Sequence, residues 1–181
     1  MSRYSISRIA LIFVLFLSSL FIAAPTLAGW HSLTGLLPDY THIEDYQISP
    51  DSHRVVFLAD VDVAGREELY SVPITGSVPI QLNPPLVGQG RVRRFGITPD
   101  SSRVIYIDKL NGYAHDVQSI QIFGGGRRNL SHVGSEDSAG SLQISSDGKW
   151  IVFEVYHAGR YELRVSDGAE GFYTYLPVVL K

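Results

Sequence analysis

Ile48-Ser49-Pro50-Asp51-Ser52, Ile97-Thr98-Pro99-Asp100-Ser101 and Ile144-Ser145-Ser146-Asp147-Gly148 are three copies of one string, with the acidic residue advancing by 49 and then 47 positions. Each copy is followed at the same offset by a bulky apolar triplet: Val55-Val56-Phe57, Val104-Ile105-Tyr106 and Ile151-Val152-Phe153. A third mark, Leu82, Leu130 and Leu176, falls 31, 30 and 29 residues beyond the acid. Matched offsets of this kind define a repeat, and a period in this range indicates a stacked array of similar units.

Each copy reads as four short strands. The Pro-Asp-Ser or Ser-Asp-Gly segment is a tight turn, because proline presets φ and the Asp carboxylate bonds nearby amides. It joins a first strand, ending at Ile48, Ile97 or Ile144, to a second that is apolar at consecutive positions and so has both faces covered. Ala64-Gly65-Arg66, Asn111-Gly112 and Ala158-Gly159-Arg160 mark the next hairpin, Asn-Gly most strongly. The third strand carries Glu68-Leu69-Tyr70, Ser119-Ile120-Gln121 or Glu162-Leu163-Arg164 and ends at Thr75-Gly76, Gly124-Gly125-Gly126 or Asp167-Gly168. A fourth closes at the landmark leucine. Sustained helical periodicity is missing after residue 28, so the expected class is all-β.

The apolar-Ser-Pro-Asp turn, the apolar triplet, Glu-Leu-Tyr shortly after a glycine, the Gly-Gly turn and the closing leucine together resemble the blade repeat of TolB-like β-propellers, also seen in the propeller domains of prolyl-oligopeptidase relatives. The likeness covers about residues 43–176. It implies a partial β-propeller of three consecutive four-stranded antiparallel blades, at about 43–83, 92–131 and 140–176, followed by a C-terminal tail. Ser52 and Ser101 stand where the repeat has glycine, Ser146 replaces the proline, and Pro177 takes the place of a polar closing residue, departures that weigh most on the third blade. Leu33-Thr34 lies 15 residues before Ile48, the spacing of Leu82 from Ile97, so Gly29 to Thr34 is expected to be a lone outer strand, with residues 29–42 forming that strand and a linker. Such a strand would complete the last blade if Ala169 to Leu176 did not pair. Three blades leave faces open, so the expectation is a half-ring that pairs with another chain, a second copy included, or a truncated member of a longer family.

The whole chain has 181 residues, 45% hydrophobic and 18% charged, which excludes disorder, collagen and coiled coil. With no cysteine there is no disulfide framework, cysteine-bound zinc, thiol nucleophile or lipid-modified cysteine. Met1 to Arg8 carries two arginines and no acid, Ile9 to Ala24 is almost wholly apolar, and Thr26-Leu27-Ala28 offers small residues to a signal peptidase. Residues 1–28 therefore read as a secretory signal cut after Ala28; the alternative is a retained anchor, though the run is short of the roughly 20 residues a span needs. Loss of Arg3 and Arg8 takes the net charge from −3 to −5, which argues against a nucleic-acid partner.

Motifs that could carry chemistry are each incomplete. Asp60-Val61-Asp62-Val63-Ala64-Gly65 resembles a calcium loop, but Ala64 and Ser71 hold the places of its fifth and twelfth ligands, so it reads as a solvated hairpin loop. The second repeat again carries an acid before its turn, Asp108 to Gly112, which supports the structural reading. His42 with Glu44, His115 with Asp116, His132 with Glu136 and Asp137, and His157 are loop-associated pairs that the two ends of a propeller could gather into one pocket. Ser135, Ser138 and Ser141 lie in a glycine-containing linker without G-x-S-x-G, and H-E-x-x-H is missing. Gly124-Gly125-Gly126-Arg127-Arg128 sits at a strand turn with no helix to make it a phosphate loop, and Arg91-Val92-Arg93-Arg94 reads as a solvated strand entry. The tail Phe172 to Lys181 is aromatic and apolar, open to strand addition or buried as the last strand.

No catalytic, cofactor-binding or metal residue is assigned, and no cofactor is expected. The expectation is an exported, secreted or periplasmic, non-enzymatic protein-binding scaffold, free of the membrane after signal cleavage, with a protein partner and a homo-oligomer that completes the ring. The TolB resemblance implies an envelope scaffold. Alternatives are an accessory or substrate-gating propeller of a peptidase system, a truncated propeller, or a lyase or hydrolase built on loop carboxylates.

Overall fold

The computed structural model describes residues 29–109, 115–131, 134 and 137–167. Residues 32–181 form one unit, which holds every strand described, and residues 1–31 form another. The first sheet contains β1 (Ile43–Ile48), β2 (Arg54–Ala59), β3 (Glu68–Pro73) and β4 (Ile80–Gln81). The second contains β5 (Arg91–Ile97), β6 (Arg103–Lys109), β7 (Asp116–Gln121) and β8 (Arg128–Asn129), and the third β9 (Ser138–Ile144), β10 (Trp150–His157) and β11 (Arg160–Asp167). Each sheet is antiparallel with its strands in chain order, and no helix occurs among the described residues. This is an all-β, open, partial propeller of three blades. The fourth strand expected for the third blade falls on residues outside the described ones, as do the Asn111-Gly112 turn, residues 1–28 and the tail.

The repeated string is a repeated turn. In each copy the hydroxyl of Ser49, Thr98 or Ser145 donates to the aspartate two residues on, at 2.5, 2.6 and 2.6 Å, and accepts from the amide of Arg54, Arg103 or Trp150 at 2.9, 3.0 and 2.9 Å. The same aspartate oxygen accepts the amide of His53, Ser102 or Lys149 at 3.1 Å in all three. These bonds hold the carboxyls of Asp51, Asp100 and Asp147 below the ordinary carboxylate range, chiefly through that hydroxyl. The hydroxyl before the proline position, unremarked in the sequence pattern, is thus the hinge pin of the turn.

Ser52 and Ser101 adopt φ of 62° and 59°, the left-handed region that Gly148 takes at 72°. A side chain there costs on the order of 1 kcal/mol. Ser101 has a compensation, since its hydroxyl accepts the amide of Asp51 at 2.9 Å and ties two blades together. We expect Ser52→Gly to stabilise the protein by up to about 1 kcal/mol in urea unfolding, and Ser101→Gly to gain less because an inter-blade bond is lost.

Two apolar cores lie between neighbouring blades. Val56, Leu58 and Leu69 pack against Val104, Tyr106 and Phe95, while Ile105, Ile107 and Val117 pack against Ile151, Phe153 and Val155. The apolar triplet alternates between these cores: Ile105 and Ile107 face the third blade, Val104 and Tyr106 the first. Arg54 and Arg103 start β2 and β6 in equivalent ways, donating through Nε to Ser71 and Ser119 at 2.7 and 2.6 Å. Trp150 replaces that arginine in the third blade.

Gly29 to Thr34 differs from the lone outer strand expected there, because residues 29–42 contain no strand. Leu33 instead receives one hydrogen bond, from the amide of Ser77 at 3.1 Å, and packs with Ile74 and Val61 on a buried cluster of Val55, Phe57, Ala59, Tyr70 and Val72 on the first blade's outer face. The apolar side chain, rather than the strand ladder, decides where the segment rests: it covers the end of a stack.

Candidate functional site

The loop before β9 meets the start of β7 at the seam of the second and third blades. A parallel bridge joins His115 to Ser138, and the amide of Ala139 donates to the carbonyl of His115 at 2.9 Å. The imidazole Nδ1 of His115 is in tight hydrogen-bond contact with the hydroxyl of Ser138. One residue earlier, Asp137 closes a turn onto Gly134 and meets Nδ1 of His157 at 2.5 Å. His157 ends β10 and, with Ala158, Arg160 and Glu162, lines a cleft of about 400 Å³. Glu162 accepts from Nε of Arg164 at 2.6 Å.

Burial, reinforced by the charges of Arg93, Lys109 and Arg91, holds the His115 imidazolium pKa below its usual value, so the ring is neutral at neutral pH. The His157 hydrogen bond holds the Asp137 carboxyl below the ordinary range. Serine, two histidines and aspartate thus converge, but as two separate dyads. In a nucleophilic triad one imidazole bridges hydroxyl and carboxylate through its two nitrogens; here each histidine spends Nδ1 on its own partner. The arrangement presents a graded set of donors and acceptors beside a cleft that also offers a guanidinium and a carboxylate.

Of the pairs noted in the sequence, the structure joins His157 to Asp137 and brings His115 to the same seam, while His132 and Glu136 lie outside the described residues. His42 stands 3.6 Å from Glu44, away at the first blade. Among the described residues no three His, Cys, Asp or Glu side chains are grouped to hold a metal. In the calcium-like string, Asp60 is saturated by the amides of His42 at 2.5 Å and Gly65 at 2.7 Å, which closes the hairpin. Arg91 is 4.0 Å from Glu67, a partly exposed pair.

Asp108 is not the loop acid its spacing suggests. β6 runs one residue past it, so it occupies the strand position of Ala59 and Val155 and is fully buried, directly opposite Asp116. Neither of its carboxylate oxygens makes a hydrogen bond of normal geometry, nor do the hydroxyl of Tyr106 and Oε1 of Gln118 on the same face, and the nearby Gln118 side chain and Arg127 charge offset its burial only in part. Burial, with the neighbouring Asp116 charge, pushes its pKa up to about 7. The signal was available: the sister repeats carry alanine and valine at that offset.

No protein-family model matches the chain, and no curated protein matches it. Solved structures do. A TolB-type protein from Agrobacterium tumefaciens superposes at a TM-score of 0.54 with 24% identity, over 70% of this chain and 43% of that one. A puromycin-hydrolyzing peptidase from Mycobacterium tuberculosis gives a TM-score of 0.58 at 14% identity, covering 78% of this chain and 24% of that one. One of two prolyl endopeptidases gives 0.55 at 12%, covering 74% and 21%. The chain spans less than half the length of each of these structures, and its fold is that of TolB-like and peptidase-related propellers.

Proposed function

We propose that the chain is an exported, non-enzymatic propeller-type protein whose work is binding another protein in the envelope or outside the cell. The observation that carries this reading is the seam of the second and third blades, where two histidine dyads sit beside an Arg160-Glu162 cleft at the hairpin end. Loops at one end of a rigid array are where such scaffolds make contacts. The split of the dyads supports a binding role over nucleophilic chemistry, because no single imidazole couples Ser138 to Asp137. The TolB-type neighbour and the amino-terminal signal pattern together support an envelope location. Export then yields a chain beginning at Gly29, which N-terminal sequencing of the secreted product checks.

Reversing the cleft's charge should weaken the complex. In affinity capture from an envelope extract, we expect a protein retained by the wild type to be reduced about tenfold by Arg160→Glu, one lost charge-assisted contact being on the order of 1.5 kcal/mol. Equal retention by both forms, or none by either, would remove the reading. A second reading, a substrate-gating propeller of a peptidase system, rests on the peptidase neighbours; it predicts that the captured partner is itself a peptidase.

A further inference from the structure

The repeat supplies its own control for a blade face that is exposed among the described residues. Val56, Ile105 and Val152 each stand five residues past the turn aspartate, and Leu69, Val117 and Leu163 each pair across the hairpin with the residue two further on. In the first two blades these positions are buried against the next blade: Leu69 and Val117 are 0% exposed. In the third, Leu163 is 66% exposed, and Trp150, Val152, Tyr156 and Tyr161 are open beside it. The rings of Tyr156 and Tyr161 meet at a tilt of 56° with centroids 5.0 Å apart, making a continuous apolar and aromatic surface across β10 and β11. The face continues an interface that the chain builds twice.

Its charges lie off its apolar centre. Two acids share the face, Glu154 and Asp167 opposite Trp150, and the Glu154 carboxylate lies over Gly140 of β9, away from Leu163 and Tyr161, which leaves an apolar centre that a second copy can meet. The opposite end of the stack is closed, since Val55, Phe57, Tyr70 and Val72 are buried and covered in part by Leu33 and Ile74. A second copy therefore has no matching end to add head to tail, which excludes ring closure by this route and open-ended growth.

We propose that the exposed face of the third blade pairs with the same face of a second copy, giving a closed, two-fold dimer in place of the ring completion expected from the repeat count. The contact is independent of the His115-His157 cleft. Three strands of about eight residues span roughly 26 by 14 Å, smaller than the roughly 800 Å² per partner of a standard interface, so the expected dimer is weak and concentration-dependent.

Sedimentation velocity of the purified protein from below 1 to about 200 µM tests it. The expected result is a monomer-dimer equilibrium with no larger species. Leu163→Asp should weaken the dimer at least a hundredfold while circular dichroism stays unchanged, because the side chain is exposed in the monomer. Val78→Asp, at a site 84% exposed in the loop before β4, should leave it intact. In a Trp30→Phe background the emission of Trp150 should shift to the blue as the dimer forms. A monomer at every concentration, an open-ended series of masses, or a dimer unaffected by Leu163→Asp with Trp150 still exposed would overturn the proposal. Loss of partner capture by Arg160→Glu with an unchanged dimer separates this result from the binding reading.

Discussion

Asp108→Val should raise the stability of the protein at pH 7.5 by several kcal/mol more than it does at pH 3. The reason is a carboxylate buried without a hydrogen bond of normal geometry, opposite another acid, at a position where the first and third blades place alanine and valine. At low pH the group is neutral in folded and unfolded chains alike. As pH rises past its ordinary value of 3.8, the unfolded chain releases the proton while the folded chain holds it until about pH 7. Stability therefore falls between about pH 4 and 7 and levels off above, by about 4 kcal/mol for a shift of roughly three units. Urea unfolding at the two pH values measures the gap between wild type and variant. An equal gap at both would show that Asp108 ionises in the folded protein as it does in water.

Leu69→Ala and Leu163→Ala should differ although the two leucines occupy one position of the repeat. Leu69 is fully buried against the second blade, and truncation there should cost about 2–5 kcal/mol through lost burial and a cavity. Leu163 is two-thirds exposed in the monomer, so its truncation should cost less than about 0.5 kcal/mol at concentrations where the protein is monomeric. Equal losses would mean that a further element already covers the third blade, and would count against the open face.

Much of the fold was legible because its determinants are local. The turn at Asp51, Asp100 and Asp147 is assembled from residues within five positions of one another, so the string Ile-Ser-Pro-Asp-Ser carries its geometry wherever it occurs. The apolar triplets reveal two-sided burial for the same reason: strand parity alone sends Val104 and Ile105 to opposite cores. The seam was legible only in outline. Loop-associated histidines were visible, yet that His157 takes Asp137 and His115 takes Ser138 depends on how two blades are set side by side, over separations of 20 and 23 residues. Asp108 misled because its spacing from the turn resembles that of Asp60, and a single extra residue of strand moves an acid from a solvated loop into a core.

The amino-acid sequence by itself determined the repeat, the strand order within each blade, the all-β class and the chemistry of the turns, since each follows from neighbours in the chain. Tertiary structure alone decided which faces are covered, that Leu33 packs on one end of the stack, that Asp108 is buried, and that Leu163 of the third blade is exposed where its counterparts are covered. Burial is a property of what lies across an interface, and a strand with two apolar faces cannot specify from its own residues whether both will find one.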